Sequence, residues 1–455
     1  MRRTMLLAFA LVVACARPAL DHMSAAQAGG RPSQSQPSSR GILSPFATIQ
    51  VDRNPFALAD DERRGHVFVV SSSRRNRGGQ LVGSGHITML DAPTGHLLRT
   101  VTEPLISYYG SAGDYTSFMS PPNLEETAVD AHTGRLFVIL SVGTRVDKTT
   151  AHVAGPGIVG VFDTQSGAPV STVTLGKTPR SVMVDERRGH VFVTDSAGGA
   201  VYMLDATTGA LLHTTHVGYF FPVTLALDRR RGRVFVSGQR GLIMLDATTG
   251  ALLRRLPLGT RDVCGKYGCN RGNCVQPFCS LAVDESAGRL IVDSALDSVT
   301  TLVTLRDSNT GAILRSSVVQ ATPYGAVADA TARRFFLFHN PPYDNSNDMH
   351  AMVSILDSHN GRVVRTVQVG LVGGAAAATM AVDERAGRLF VAVTPTSQPG
   401  SASLVAVDVQ SGRVLRTVPI GVNLLGSAIA FDQAAQRIFV PDNVAGTVRA
   451  FDTSH

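Results

Sequence analysis

Residues 181–218 read SVMVDERRGHVFVTDSAGGAVYMLDATTGALLHTTHVG, and the fold is decided there. The stretch holds four short apolar runs separated by polar turns. Its first run ends on Asp185 and is followed by Glu-Arg-Arg-Gly; its third ends on Asp205 and is followed by Ala-Thr-Thr-Gly. An Asp closing a strand can bond the amides of its own turn, and the Gly supplies the positive φ that a tight hairpin needs. Val, Phe, Thr and Tyr fill the runs, as strands prefer, and no run keeps a helical period. The unit is a four-stranded antiparallel meander, with strands a to d.

The unit repeats along the chain. A second copy, LALDRRRGRVFVSGQRGLIMLDATTGALLRRLPLG, spans 225–259. The central residue of strand b recurs as Phe68, Phe137, Phe192, Phe235, Ile291, Phe336, Phe390 and Phe439, at spacings of 43 to 69 residues. The Asp closing strand c recurs as Asp91, Asp163, Asp205, Asp246, Asp307, Asp357, Asp408 and Asp452. A Gly stands four residues later in every copy but the last, where the chain stops at His455. One meander cannot bury both its faces, so such units stack as blades around a channel. The last copy ends after its third strand, at Ala450-Phe451-Asp452, and residues 47–51 (ATIQV) have the character of the missing fourth. An N-terminal strand that completes the last blade closes the ring and removes exposed edges. The predicted fold is an all-β propeller of four-stranded blades, eight by repeat count.

AVDERAGRLFVAV (381–393), ILDSHNGRVVRTVQVG (355–370) and HVFVTDSAG (190–198) resemble the repeats of YVTN-type β-propellers. That family belongs with the propeller subunits of quinoprotein amine dehydrogenases. The resemblance covers about residues 46–455. It implies a secreted or surface-attached propeller, usually of seven blades, which keeps seven as the alternative to eight.

Composition agrees with many short strands. Hydrophobic residues make up 44% of the 455, Gly numbers 44, and Trp is absent. Of the 42 basic residues only Lys148, Lys177 and Lys266 are lysines, and the arginines are spread through turns. Nucleic-acid binding calls for a clustered basic stripe, so no nucleic-acid partner is expected.

The N-terminus reads as a targeting segment. Arg2 and Arg3 precede the apolar residues 4–14, too short a run to span a bilayer. Val12-Val13-Ala14-Cys15 resembles a bacterial lipobox, with residues 1–14 removed and Cys15 lipidated; Ala26-Gln27-Ala28 is the competing ordinary cleavage site. Residues 15–45, rich in Ser, Pro and Gly, read as a flexible tether. The protein is therefore expected outside the cytoplasm, as a cell-membrane lipoprotein or secreted, touching membrane only through a lipid anchor, and monomeric.

In a meander blade the a–b and c–d turns share one face, and the b–c loops and d–a links share the other. The former are short and uniform here. The long insertions are b–c (71–84, 141–157, 339–351, 394–402) or d–a (102–126, 260–279), so they collect on one face, where repeat proteins bind. Tyr108, Tyr109, Tyr115, Tyr219, Tyr267, Tyr324 and Tyr343 fall in those segments and are the candidate binding residues; Tyr202 sits in a strand. Cys264, Cys269, Cys274 and Cys279 are evenly spaced in the 260–279 loop. That spacing differs from the usual zinc pairing, and two disulfides are expected, a metal cluster being the alternative. Asp344, Asp348 and His350 are weak metal candidates, in a stretch lacking the Gly and distal Glu of a calcium loop. His66 and His190 occupy equivalent positions and belong to the repeat.

No G-x-S-x-G, H-E-x-x-H or P-loop is present, and no cofactor is indicated. Two functions fit. One is a scaffold that binds a protein or a cell-envelope glycan through the loop-rich face. The other is an extracytoplasmic enzyme, metal-dependent and lactonase- or hydrolase-like, or a redox-partner subunit. Titratable side chains converging on the channel would favour the second.

Overall fold

A computed structural model describes residues 41–77, 80–103, 127–141, 144–146, 151–153, 156–218, 222–238, 241–257, 279–295, 300–320, 322–340, 348–373, 378–395, 401–422, 424 and 429–454. They form eight four-stranded antiparallel sheets. Blade 3 shows the pattern, with strand a at Pro179–Asp185, b at His190–Asp195, c at Ala200–Asp205 and d at Leu211–His216. The a strands of the eight blades are Pro55–Asp61, Thr127–Asp130, Pro179–Asp185, Pro222–Asp228, Cys279–Asp284, Thr322–Asp329, Ala378–Asp383 and Ala430–Asp432. Each touches the a strand of the next blade, and the last touches the first. The molecule is an eight-bladed β-propeller.

Its core is eight wedges, one between each pair of neighbouring blades. Blades 2 and 3 share Phe137, Val161, Val182 and Val191, and blades 6 and 7 share Phe336, Val353, Leu389 and Val405. All eight central residues of strand b are at most 1% exposed. Burying such a side chain stabilises by roughly 1.5–3 kcal/mol, so the repeated aromatic of the sequence is the wedge that sets blade against blade.

Blade 8 confirms the closure. Its fourth strand is Ser44–Gln50, paired antiparallel with Thr447–Asp452 from Ser44↔Asp452 to Gln50↔Thr447. The strand starts three residues before the expected 47–51 because Leu43, fully buried, already packs against blade 7. Val51 N donates to Gly446 O at 2.9 Å, and Arg437 lies 4.0 Å over the Phe46 ring. Across the seam, Ile49, Phe439 and Val448 pack with Leu58, Val67 and Val69 of blade 1.

The turns do what the sequence requires. Asp205 Oδ1 accepts from Thr207 N, Thr208 N and Thr208 Oγ1 at 2.8–3.0 Å, and Gly209 takes φ +76°. Every strand-a terminal Asp is fully buried: Asp61, Asp130, Asp185, Asp228, Asp284, Asp329, Asp383 and Asp432. Neighbouring blades are also tied side chain to backbone. His66 Nδ1 donates to Thr164 O at 2.8 Å and His190 Nδ1 to Ala247 O at 2.9 Å, which accounts for both histidines structurally.

Candidate binding face

The a–b and c–d turns lie on one face. From the other, among the described residues, elements of three blades extend. In blade 1, strands b (His66–Arg77) and c (Gln80–Asp91) pair without a break from His66↔Asp91 to Arg77↔Gln80. Among the described residues, strand a pairs as far as Ser71 and strand d as far as Gly85. Beyond those points, among the described residues, strands b and c pair only with each other. Residues 71–84, expected as a loop, are thus mostly ladder. The reason is register: Ser, Arg, Leu and Val continue the alternation of the blade, and Gly78-Gly79 has hairpin-turn chemistry.

Blade 2 adds a separate hairpin, Thr144–Val146 with Ala151–Val153, inside its b–c insertion. In blade 6, strand c (Asp348–Asp357) and strand d (Val363–Gly373) continue past strand b to the pair Asp348↔Gly373. Asp348 and His350 therefore lie in strand c rather than in the b–c insertion expected over 339–351. His350 Nδ1 accepts from Gln368 Nε2 at 2.7 Å. Asp344 lies outside the described residues. Among the described residues no three His, Cys, Asp or Glu side chains are grouped to hold a metal.

Blades 3 and 8 are closed on this face. Asp195 gathers Lys177 N, Thr178 N, Thr178 Oγ1 and Gly198 N at 2.9–3.1 Å, and Tyr202 donates its hydroxyl to it at 3.3 Å. Burial, with the nearby Asp195 charge, pushes Tyr202 up to about 12. Asp442 accepts from Val444 N and Ala445 N in the same way. The short Asp-Ser-Ala-Gly-Gly and Asp-Asn-Val-Ala-Gly segments carried that information, each an Asp ahead of a Gly-ended turn.

Other candidates are placed less fully. Tyr324 is in strand a of blade 6, where the register slips between Pro323 and Gly325, and not in a link. Cys279 opens strand a of blade 5, opposite Ser294. Cys15, Cys264, Cys269, Cys274, Tyr108, Tyr109, Tyr115, Tyr219, Tyr267 and Tyr343 lie outside the described residues.

Two buried groups near this face are shifted. Burial lowers His339 to about 4; its Nε2 meets Ser354 Oγ at 2.7 Å, so the ring is neutral at physiological pH. Burial raises Asp293 to about 7 against the bond its Oδ1 accepts from Ser280 N at 2.6 Å. The a strands carry half-buried Val129, Met183, Val283, Val327 and Met380, which pack against the cores between blades. Asp60, in strand a of blade 1, is raised to about 7 by burial and then by Glu62 and Asp432.

The comparisons with known proteins follow this architecture. The model of the family described as outer membrane protein assembly factor BamB matches residues 155–267, from blade 2 into the link after blade 4. That is about a quarter of the chain, and it is a different description from the YVTN repeats it resembles. No curated protein matches the chain. Among solved structures, the BamB of Moraxella catarrhalis is 14% identical, with 90% of this chain and 100% of that one covered and a TM-score of 0.54. The Dos1 propeller is 12% identical, with 90% and 95% covered and a TM-score of 0.60. The computationally designed Ika8 protein is 13% identical, with 90% and 99% covered and a TM-score of 0.58. At these identities the likeness is one of fold.

Proposed function

We propose that this chain is an exported propeller, held at the cell envelope through Cys15, that binds a protein through its loop-rich face and acts as a scaffold. The observation that carries the reading is the extended b–c ribbon of blade 1, set on the same face as the hairpin of blade 2 and the extended strands of blade 6. Isolated two-stranded ribbons are marginal in water, and open backbone edges are templates for strand addition. The partial match to a family described as an outer membrane protein assembly factor supports both the envelope setting and a protein partner.

Within this face, Cys264, Cys269, Cys274 and Cys279 form two disulfides that fix the 260–279 loop. Non-reducing mass spectrometry checks the pairing; four free thiols would overturn it. For the partner, a photo-crosslinker is placed at Val82 in the ribbon or at Arg187 on the opposite face, and envelope fractions are irradiated. The reading expects a discrete protein adduct from Val82 that is absent from Arg187. Adducts of equal yield from both positions, or a glycan adduct at Val82, would overturn the protein-binding form of it.

A further inference from the structure

The turn face carries features that partner binding on the loop face does not use. Its a–b turns expose Arg63, Arg187, Arg229, Arg230, Arg333 and Arg385; the acids of the same face include the exposed Glu186 and Glu384 and the half-buried aspartates that close strand c, each bonded within its own turn. Arg229 shares its charge with Glu285 at 3.1 Å. Around the rim of the same face, strand d of seven blades opens with apolar side chains left half in water. Leu97 and Leu98 are 47% and 48% exposed, Leu211 and Leu212 49% and 48%, Leu314 50% and Val364 52%.

The exposure has a local cause. Each of the seven c–d pairs slips register at the same place; in blade 3 Met203 pairs with His213 but Leu204 with Leu211. A bulge inserts one residue and twists the strand, so consecutive side chains both reach the outer surface. Blade 8 slips at the same place, between Pro45 and Ala47; its pair is Pro45, exposed, and Phe46, half-buried beneath Arg437. Soluble proteins scatter apolar surface residues singly. A repeated apolar belt beside arginines is the composition of a surface that settles into lipid headgroups.

Chain entry points the same way. Ser44 pairs with Asp452, which closes strand c at the turn face, so the chain joins the ring on this side. Leu43 is buried there, and Gly41 lies against the Arg416 guanidinium of blade 7.

We propose that the turn face and its apolar rim seat the propeller on an anionic lipid surface, leaving the loop face directed away from the bilayer. The proposal rests on the reading of the chain as an envelope protein. The arginines attract the anionic headgroups, and the rim side chains enter the headgroup layer between them. The attraction decays over a Debye length of about 8 Å at physiological salt, so the contact weakens as salt rises.

The test uses the full chain carrying Cys15→Ser, so that no acyl chain contributes, with phosphatidylcholine vesicles made with or without phosphatidylglycerol. Any insertion of residues 4–14 is common to both vesicle types and all variants. Expected is co-sedimentation with the anionic vesicles that drops about tenfold or more in Arg63→Glu/Arg187→Glu/Arg385→Glu, and severalfold in Leu211→Ser/Leu212→Ser. Arg74→Glu/Arg75→Glu, on the ribbon of the other face, leaves it unchanged. Thermal melting verifies that each variant is folded; should the triple variant not fold, Arg63→Gln and Arg187→Gln singly replace it, each with a smaller drop. Anionic-vesicle binding equal to the parent's in the turn-face variants, or lost in the ribbon variant instead, overturns the proposal. So does capture of an acidic protein by the turn face without vesicle binding. Loss of the Val82 adduct while vesicle binding persists would sink the loop-face reading alone.

Discussion

Ser358 of blade 6 donates its hydroxyl to Oδ2 of the buried Asp284 of blade 5, at 2.5 Å. Ser308 of blade 5 makes the same bond to Asp228 of blade 4, also at 2.5 Å. The serine follows the Asp that closes strand c, so each bond joins one blade's c–d turn to its neighbour's a–b turn. In four other blades that position is Ala92, Ala206, Ala247 or Val409, and the facing Asp432, Asp130, Asp185 and Asp329 each keep one buried oxygen without a hydrogen-bond partner; in blade 2 it is Thr164, whose Oγ1 lacks a partner while Arg64 holds the facing Asp61. At the junction of blades 7 and 8 it is Thr453, and both its Oγ1 and Asp383 Oδ2 lack a partner.

Ala206→Ser should therefore supply the donor that Asp130 lacks and stabilise the ring by about 1 kcal/mol. Ser358→Ala should cost about 1–3 kcal/mol, since it leaves a buried carboxylate oxygen unmatched. Denaturant unfolding of the two variants beside the parent measures both signs. A destabilised Ala206→Ser would show that the pocket cannot take the hydroxyl.

The fifth residue of the a–b turn is left-handed. Gly holds it in blade 3 at Gly189, φ +68°, whereas Arg333 of blade 6 sits at φ +56°. An L-residue there costs roughly 1–2 kcal/mol, and the lost chain entropy of Gly offsets part of that. Arg333→Gly is expected to stabilise by a few tenths of a kcal/mol to about 1 kcal/mol, read as a higher urea midpoint with unchanged slope. A lowered midpoint would mean that the arginine side chain contributes more than its backbone costs.

Asp293 gives a pH-dependent prediction. Its carboxyl is raised from 3.8 to about 7 by burial, and its Oδ2 has no hydrogen-bond partner. The folded state therefore holds the proton more tightly than the unfolded chain. Its contribution to stability is full below the unfolded value near 3.8 and is lost as pH rises through about 7. In blade 3 the equivalent Thr194 takes the same bond, from Ser181 N at 3.1 Å, without a charge. Asp293→Thr should raise stability at pH 8 by an amount of the order of 2 kcal/mol and change it little at pH 4. Equal gains at both pH values would point to packing rather than ionisation.

Fold and site differ in how much of them was legible in the sequence, and the difference is physical. The Phe68-to-Phe439 series and the strand-c aspartates recur because every blade meets its neighbour through the same wedge and the same turn, so counting them gave eight blades. The ribbon of residues 71–84 was read as loop because Gly and Ser dilute its alternation, although its pairing register simply continues that of the blade. Asp348 and His350 read as part of the b–c insertion because Asp and Asn signal turns; the ladder to Gly373 overrides that local preference. The Ser358–Asp284 bond joins residues 74 apart, and only the ring geometry shows that one residue answers the other. Tyr202 was placed in a strand, but its link to Asp195 needs the fold of the b–c turn.

Closure of the ring supplies the last prediction. Strand Ser44–Gln50 covers the edge of Thr447–Asp452, donates Ile49 to the seam between blades 8 and 1, and brings Leu43 into the core between blades 7 and 8. Removing residues 41–50 withdraws a whole ladder, at least two buried aliphatic side chains, and the Phe46 ring beneath Arg437. Two such side chains alone account for roughly 3–6 kcal/mol, a large fraction of the 5–15 kcal/mol that holds a domain folded. The deletion also leaves an open edge strand, a template for pairing with other chains. The shortened chain should melt well below the parent and elute as aggregate by size-exclusion chromatography. A synthetic peptide of residues 41–53 supplied in trans should restore much of the melting temperature, because it refills the strand without altering any other contact. The same peptide with Ile49→Asp should not, since it would bury a charge in the seam. A deletion variant that stays monomeric with an unchanged melting temperature would show that blade 8 holds with three strands.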